Sequence, residues 1–162
     1  MTRAYIALGA NLGDPSSTVL AAIEALRDLP HSQLIAASSL YRTAPVGLRN
    51  QPDFVNAVIS IETQLDAPGL LDELFAIEAR FGRSRSIPNA PRTLDLDLLL
   101  HGDTICDDPQ LTLPHPRMHQ RAFVLVPLAE IAPDITMPVH GMLIDLLQNC
   151  ADQQVESMTA QV

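Results

Sequence analysis

The run Pro91-Arg92-Thr93-Leu94-Asp95-Leu96-Asp97-Leu98-Leu99-Leu100 alternates leucine with aspartate through its middle. A period of two is the signature of a strand with one face in a core. Leu94, Leu96 and Leu98 then turn inward. Asp95 and Asp97 share the other face, about 6.6–7 Å apart along the chain.

Working outward, residues 83–92 form an arginine-bearing loop holding Pro88, Asn89 and Pro91. Before it, Pro68 opens a helix whose apolar side is Leu71, Leu74, Phe75, Ile77 and Phe81, and Gly82 stops it. Residues 54–63 read as a strand with Phe54, Asn56 and Val58 on one face. Residues 43–53, with Pro45, Gly47 and Pro52, are too long for a tight hairpin and are a functional candidate. Residues 33–42 suit another strand, and 3–8 a first one, ended by Gly9, Asn11, Gly13 and Asp14. Between them a helix follows Pro15, capped near Ser16 or Ser17, with Val19, Leu20, Ile23 and Leu26 at helical spacing.

Beyond the quoted run, 102–110 is a turn region, 111–113 is extended, 121–132 is helical despite Pro127, and 142–150 is a last helix. The tail from about 151 is expected to fray. The order β-α-β-β-α-β predicts an α+β fold: a ferredoxin-like, mainly antiparallel sheet with helices on its faces and extra C-terminal elements. One domain over 1–162 is expected.

Composition narrows the function. A 47% apolar and 18% charged chain is globular, with no apolar run near membrane-span length and no signal-peptide pattern. Cys106 and Cys150 are isolated, which suits a reduced, cytoplasmic protein, expected to be a monomer. A net charge of −9 argues against nucleic acid as partner. All ten cations are arginine, and six of them fall between 80 and 121, a pattern suited to a small polyanion. Without lysine, the GxxxxGK[ST] phosphate loop is excluded.

Two like charges on one strand face need compensation. Mg²⁺ supplies it, since it takes oxygen ligands from one or two carboxylates together with phosphates and water. Two such ions are able to bridge both aspartates and a polyphosphate. A plain edge strand with a wet polar face is the competing reading. Within Leu113-Pro114-His115-Pro116-Arg117-Met118-His119-Gln120-Arg121-Ala122-Phe123, His115 and His119 have helical spacing for zinc, but Pro116 breaks that geometry. His115 and Arg121 fit phosphate donors better, with Phe123 stacking on a planar ring.

Taken together, residues 91–97, Leu-Pro-His at 113–115, Arg121 and Phe123 resemble the 6-hydroxymethyl-7,8-dihydropterin pyrophosphokinase family of folate biosynthesis. The openings Ala-Tyr-Ile-Ala-Leu-Gly-Ala-Asn-Leu-Gly (4–13), Tyr-Arg-Thr-Ala-Pro (41–45) and Gln-Pro-Asp-Phe-Val-Asn (51–56) extend the likeness from about 4 to 145. The resemblance implies ATP and a reduced pterin as substrates. Asp95 and Asp97 would bind two Mg²⁺ ions, and Asp97 would help deprotonate the alcohol. Arg83 and Arg92 would act at the reacting phosphates, and Arg85 would stand where relatives use lysine. Glu78, Leu98, Thr112, His115 and Arg121 would line the nucleotide site. Phe54 and Phe123 would sandwich the pterin, with Asn56 on its polar edge and Thr43, Pro45 and Val46 contributing contacts. The loop at 83–92 departs from the family pattern: it is about one residue shorter than in some relatives and carries Pro88-Asn89-Ala90 where many have an aromatic residue.

Two other functions remain open on the residues alone. A metal-dependent phosphate-ester hydrolase would use the same aspartates without the stacked pocket. A non-enzymatic ferredoxin-like module for RNA or a small effector would need basic surface and strand aromatics.

Overall fold

In the computed structural model, which describes residues 1–45, 51–82 and 94–158, the leucine–aspartate alternation is realised as a strand. Leu94, Leu96 and Leu98 are buried, while Asp95 and Asp97 are half-buried. The elements up to that strand are β1 (Thr2–Ala10), α1 (Pro15–Arg27), β2 (Ser32–Ala37), β3 (Tyr41–Thr43), β4 (Phe54–Thr63), α2 (Ala67–Arg80) and β5 (Asp95–His101). β1 lies between β4 and β5, and both β2 and β3 pair with β4 on its far side. Every pairing is antiparallel. The remainder comprises the hairpin β6 (Cys106–Asp108) and β7 (Leu111–Leu113), α3 (Ala122–Ile131), the pair β8 (Thr136–Met137) and β9 (Gly141–Met142), α4 (Leu143–Asn149), and β10 (Glu156–Ser157). The fold is therefore a mixed one, with an antiparallel sheet and, among the described residues, four helices.

Helices cover the two sheet faces unequally. α1 and α2 bury Val19, Ile23, Leu26, Leu70, Leu74 and Ile77 against Ile6, Leu8, Ile59, Ile61 and the three leucines of the alternation. Truncating a side chain such as Leu96 to alanine there would cost about 2–5 kcal/mol. On the other face α3 and α4 pack Val124, Leu125, Leu128, Leu143 and Leu146 onto Ala7, Val58, Leu99 and Leu100. A bulge makes this arrangement work. Tyr5 faces Leu100 but Ile6 faces Leu98, so Leu99 is the extra residue. Leu100 is thereby returned to the face carrying the aspartates.

Several expectations need correcting. Asp14, not a serine, caps α1, its Oδ1 accepting the Ser17 amide at 3.3 Å. Leu20 and Phe75 are 53% and 40% exposed, since the buried stripes run through Val19/Ala22/Ile23/Leu26 and Leu70/Leu74/Ile77/Glu78. The strand read at 33–42 is two, broken at Ser38. There the Ser38 amide donates to Val58 O, and the Ser38 hydroxyl takes the Val58 amide, both at 2.9 Å. Glu130, near the end of α3, holds the break by accepting from the Ser39 amide, the Ser39 hydroxyl and, at 2.6 Å, the Tyr41 hydroxyl. The tail, expected to fray from about 151, is paired to the sheet: β10 pairs with β3, and the Met158 amide donates to Leu40 O at 3.0 Å.

Candidate active site

The part of the sheet face that α3 and α4 leave uncovered is a cavity of about 320 Å³. Its floor follows from strand register. Asp95 stands opposite Gly9, and Gly9 opposite Asn56, so the three form one cross-strand row. Asp97 stands opposite Ala7 in the next row on that face. At roughly 4.8 Å between strands, the carboxylate and the amide lie about 10 Å apart at the backbone, with glycine between them. A Cβ on Gly9 would come within 3.2 Å of Asn56 Oδ1, so the bare backbone is what lets that amide lie across the floor.

The Asn56 amide is oriented by its neighbour. Its Nδ2 donates to Thr43 Oγ1 at 2.8 Å, and both residues are buried. The Asn56 carbonyl oxygen is thereby turned toward Gly9, on the cavity side. Phe54, from the start of β4, and Phe123, from the first turn of α3, form aromatic walls. The Arg121 guanidinium lies over the Phe123 ring, 5.5 Å from its centroid. That places a cation beside the aromatic wall on the rim of the acidic floor.

His115 stands outside the lining but within electrostatic reach of it. Its amide donates to Leu99 O at 2.9 Å, which ties the Leu-Pro-His segment to β5. Burial lowers its pKa to about 4, with Arg121 adding to the fall and Asp95 opposing it. The ring is thus neutral near pH 7. Its Nδ1 accepts the Arg117 amide at 3.2 Å, which leaves the proton on Nε2 as a donor.

Of the residues singled out in the sequence, Thr43, Phe54, Asn56, Asp95, Asp97, Arg121 and Phe123 line one cavity. Pro45 is half-buried beside Ala44, which lines it. Leu98 points into the helix-side core. Thr112 sits on β7, its hydroxyl donating to Asp108 O at 3.4 Å. Glu78 is buried, its Oε2 accepting the Leu96 amide at 2.7 Å. Val46, Arg83, Arg85 and Arg92 lie outside the described residues. The sequence reading missed Gly9, Gln120 and Gln153 as cavity residues. Gly9 was legible in principle, because a glycine at a strand end often marks a close approach.

The donor set fits a hard cation. Among the described residues no group of three or more His, Cys, Asp or Glu gathers in a metal-binding cluster. Two carboxylates alone leave coordination positions for water and phosphate oxygens, as Mg²⁺ requires and structural zinc does not.

An acidic pair beside an aromatic, amide-lined pocket in one cleft suits two unlike ligands held side by side. Solved structures with this fold include the HPPK-DHPS protein of Plasmodium falciparum with pteroate (TM-score 0.73, 14% identity, 93% of this chain). The same protein with SDX-DHP matches with a TM-score of 0.69 over 91% of this chain. This chain spans 45% and 43% of those chains. The family model for 7,8-dihydro-6-hydroxymethylpterin-pyrophosphokinase matches residues 5–133. The chain is 46% identical over 156 residues to the 2-amino-4-hydroxy-6-hydroxymethyldihydropteridine pyrophosphokinase of Pseudomonas aeruginosa, covering 96% of each. It is 46% identical over 155 residues to that of Haemophilus influenzae, covering 96% of this chain and 97% of the relative. The chain belongs to the 7,8-dihydro-6-hydroxymethylpterin-pyrophosphokinase family.

Proposed function

We propose that this cleft transfers diphosphate from ATP to the hydroxymethyl group of 6-hydroxymethyl-7,8-dihydropterin, releasing AMP, in folate biosynthesis. The observation that carries the assignment is the row Asp95–Gly9–Asn56, with Asp97 in the next row, which sets an acidic pair and an oriented amide on one floor. Phe54 and Phe123 flank the amide end and hold the pterin ring by stacking, while Asn56 and the Thr43–Pro45 stretch read its polar edge. Arg121 takes phosphate oxygens beside the pterin, and His115 donates its Nε2 proton to the triphosphate as a neutral imidazole. Asp95 and Asp97 would hold Mg²⁺, two ions in this reading, which would neutralise the polyphosphate and favour departure of AMP.

The pterin hydroxyl attacks the β-phosphorus in line with the departing AMP oxygen, so most of the protein's contribution is positioning. Asp97 is assigned to help take the hydroxyl proton. Arg83 and Arg92 are assigned to the reacting phosphates and Arg85 to binding the nucleotide, all three from sequence alone. Leu98 and Thr112 serve the nucleotide through backbone and hydroxyl contacts, and Glu78 by fixing β5. The strand order β2-β4-β1-β5 supports a ferredoxin-like core, and we assign the chain to one cytoplasmic, monomeric domain. No described helix is long and apolar enough to cross a membrane.

The test is acceptor dependence. Protein, ATP and Mg²⁺ should release AMP only when the hydroxymethyl dihydropterin is present. AMP or phosphate released equally without it would favour the hydrolase.

A further inference from the structure

α3 begins at Ala122 with Arg121 as its N-cap, and no side chain from that capping position bonds the helix start. A helix start leaves backbone N–H groups in need of acceptors. Here the acceptor arrives from the far end of the chain. Gln153 Oε1 accepts the Ala122 amide at 2.9 Å, and Gln153 Nε2 donates to the Gln120 carbonyl at 2.9 Å. One side-chain amide thus brackets Arg121 from both sides, and Gln153 itself lines the cavity.

The same segment continues to the opposite wall. After the turn closed by the Gln153 amide on Cys150 O, Glu156 pairs with Arg42 and Ser157 with Tyr41. Tyr41 in turn faces Asn56, and Thr43 faces Phe54. Residues 150–158 therefore run from the wall that carries Arg121 and Phe123 to the strand that carries Thr43.

We propose that this segment is a strap that sets the separation of the two cleft walls, and that Gln153 is a positioning residue for Arg121 and Phe123. Its action is indirect: it fixes the backbone at 120–122, from which the Arg121 guanidinium projects and which leads directly into Phe123. Stacking and phosphate contacts are sensitive to displacements of about 1 Å, which can cost a hundredfold in rate. The proposal rests on the reading of the cleft as a pyrophosphokinase site. A purely structural tie would lower the melting temperature and leave the kinetic constants alone.

The test uses the full chain, after a control showing that wild type forms AMP and pterin diphosphate; failure of that control rejects the assigned function, not the strap. Gln153→Leu keeps most of the side-chain volume and removes both hydrogen bonds. It should weaken pterin affinity, measured by calorimetry with a non-hydrolysable ATP analogue present, by about tenfold. Gln153→Glu keeps the acceptor for Ala122 at a helix N-terminus and should recover most of that loss. A folded Leu variant with wild-type pterin affinity and kcat overturns the proposal. Should the Leu variant not fold, wild type alone decides. By linkage, a tie that favours the competent walls must itself tighten when pterin and the analogue bind. Hydrogen exchange at the Ala122 amide should then slow about tenfold relative to that at Leu125; an unchanged ratio overturns the strap.

Discussion

Glu78 of α2 accepts the amide hydrogen of Leu96 at 2.7 Å, at the residue lying between Asp95 and Asp97 on β5. A carboxylate 2% exposed is thus used to hold the backbone from which the acidic pair projects. Removing it leaves a buried N–H without its acceptor, at about 1–3 kcal/mol. Glu78→Ala should lose that much stability in urea and also lower turnover, while Glu78→Gln, which keeps an acceptor oxygen, should lose less of both. Equal stability and turnover for the alanine variant and wild type would show that β5 is fixed without Glu78.

A second expectation concerns Gly9. Alanine there is compatible with strand backbone, but its Cβ meets Asn56 Oδ1 at 3.2 Å on the cavity floor. Gly9→Ala should therefore raise KM for the pterin several-fold, with a melting temperature close to wild type and KM for ATP little changed. A rise confined to ATP would place the pterin elsewhere.

The pH dependence of stability follows from Glu130 and Tyr41. Burial works to raise the Glu130 carboxyl, but hydrogen bonds from Tyr41 and Ser39 outweigh it and hold its pKa below the usual 4.5. A depressed carboxyl pKa contributes stability above its unfolded value and loses it as pH falls through the folded one. Tyr41 is raised from 10.0 to about 12, first by burial and then by Glu130. That contribution is complete below pH 10 and is lost as pH rises toward about 12. Chemical melts should show Glu130→Gln flattening the acid limb and Tyr41→Phe flattening the alkaline limb. Unchanged limbs in both variants would mean that other groups govern them.

These features differ in how far the sequence revealed them. The period-two alternation at 94–98 gave the strand and both its faces, because side-chain direction is fixed by the pleat. Phe54 and Asn56 were legible for the same reason. Leu20 and Phe75 were misplaced because an apolar residue beside a helical stripe has the same local pattern as one within it. Ser38 hides its break because a serine hydroxyl completes the ladder, which no spacing rule predicts. The pairing of the tail is not legible, since Gln153, Glu156 and Ser157 are polar and meet partners 31 to 116 residues distant.

A further prediction concerns the acidic pair. Asp95 and Asp97 face the cleft and contribute nothing to the helix-side core. Asp95→Ala and Asp97→Ala should each fold with wild-type cooperativity while turnover falls by orders of magnitude. Loss of the fold in both variants would make the pair structural.

The most direct measurement of the central claim is a single-turnover experiment with ATP, Mg²⁺ and 6-hydroxymethyl-7,8-dihydropterin, quenched and resolved for nucleotides and pterins. Wild type should yield one AMP for each pterin diphosphate, and Asp97→Ala should yield neither on the same time scale. ADP with pterin monophosphate, AMP without a pterin product, or full turnover by Asp97→Ala would contradict the account.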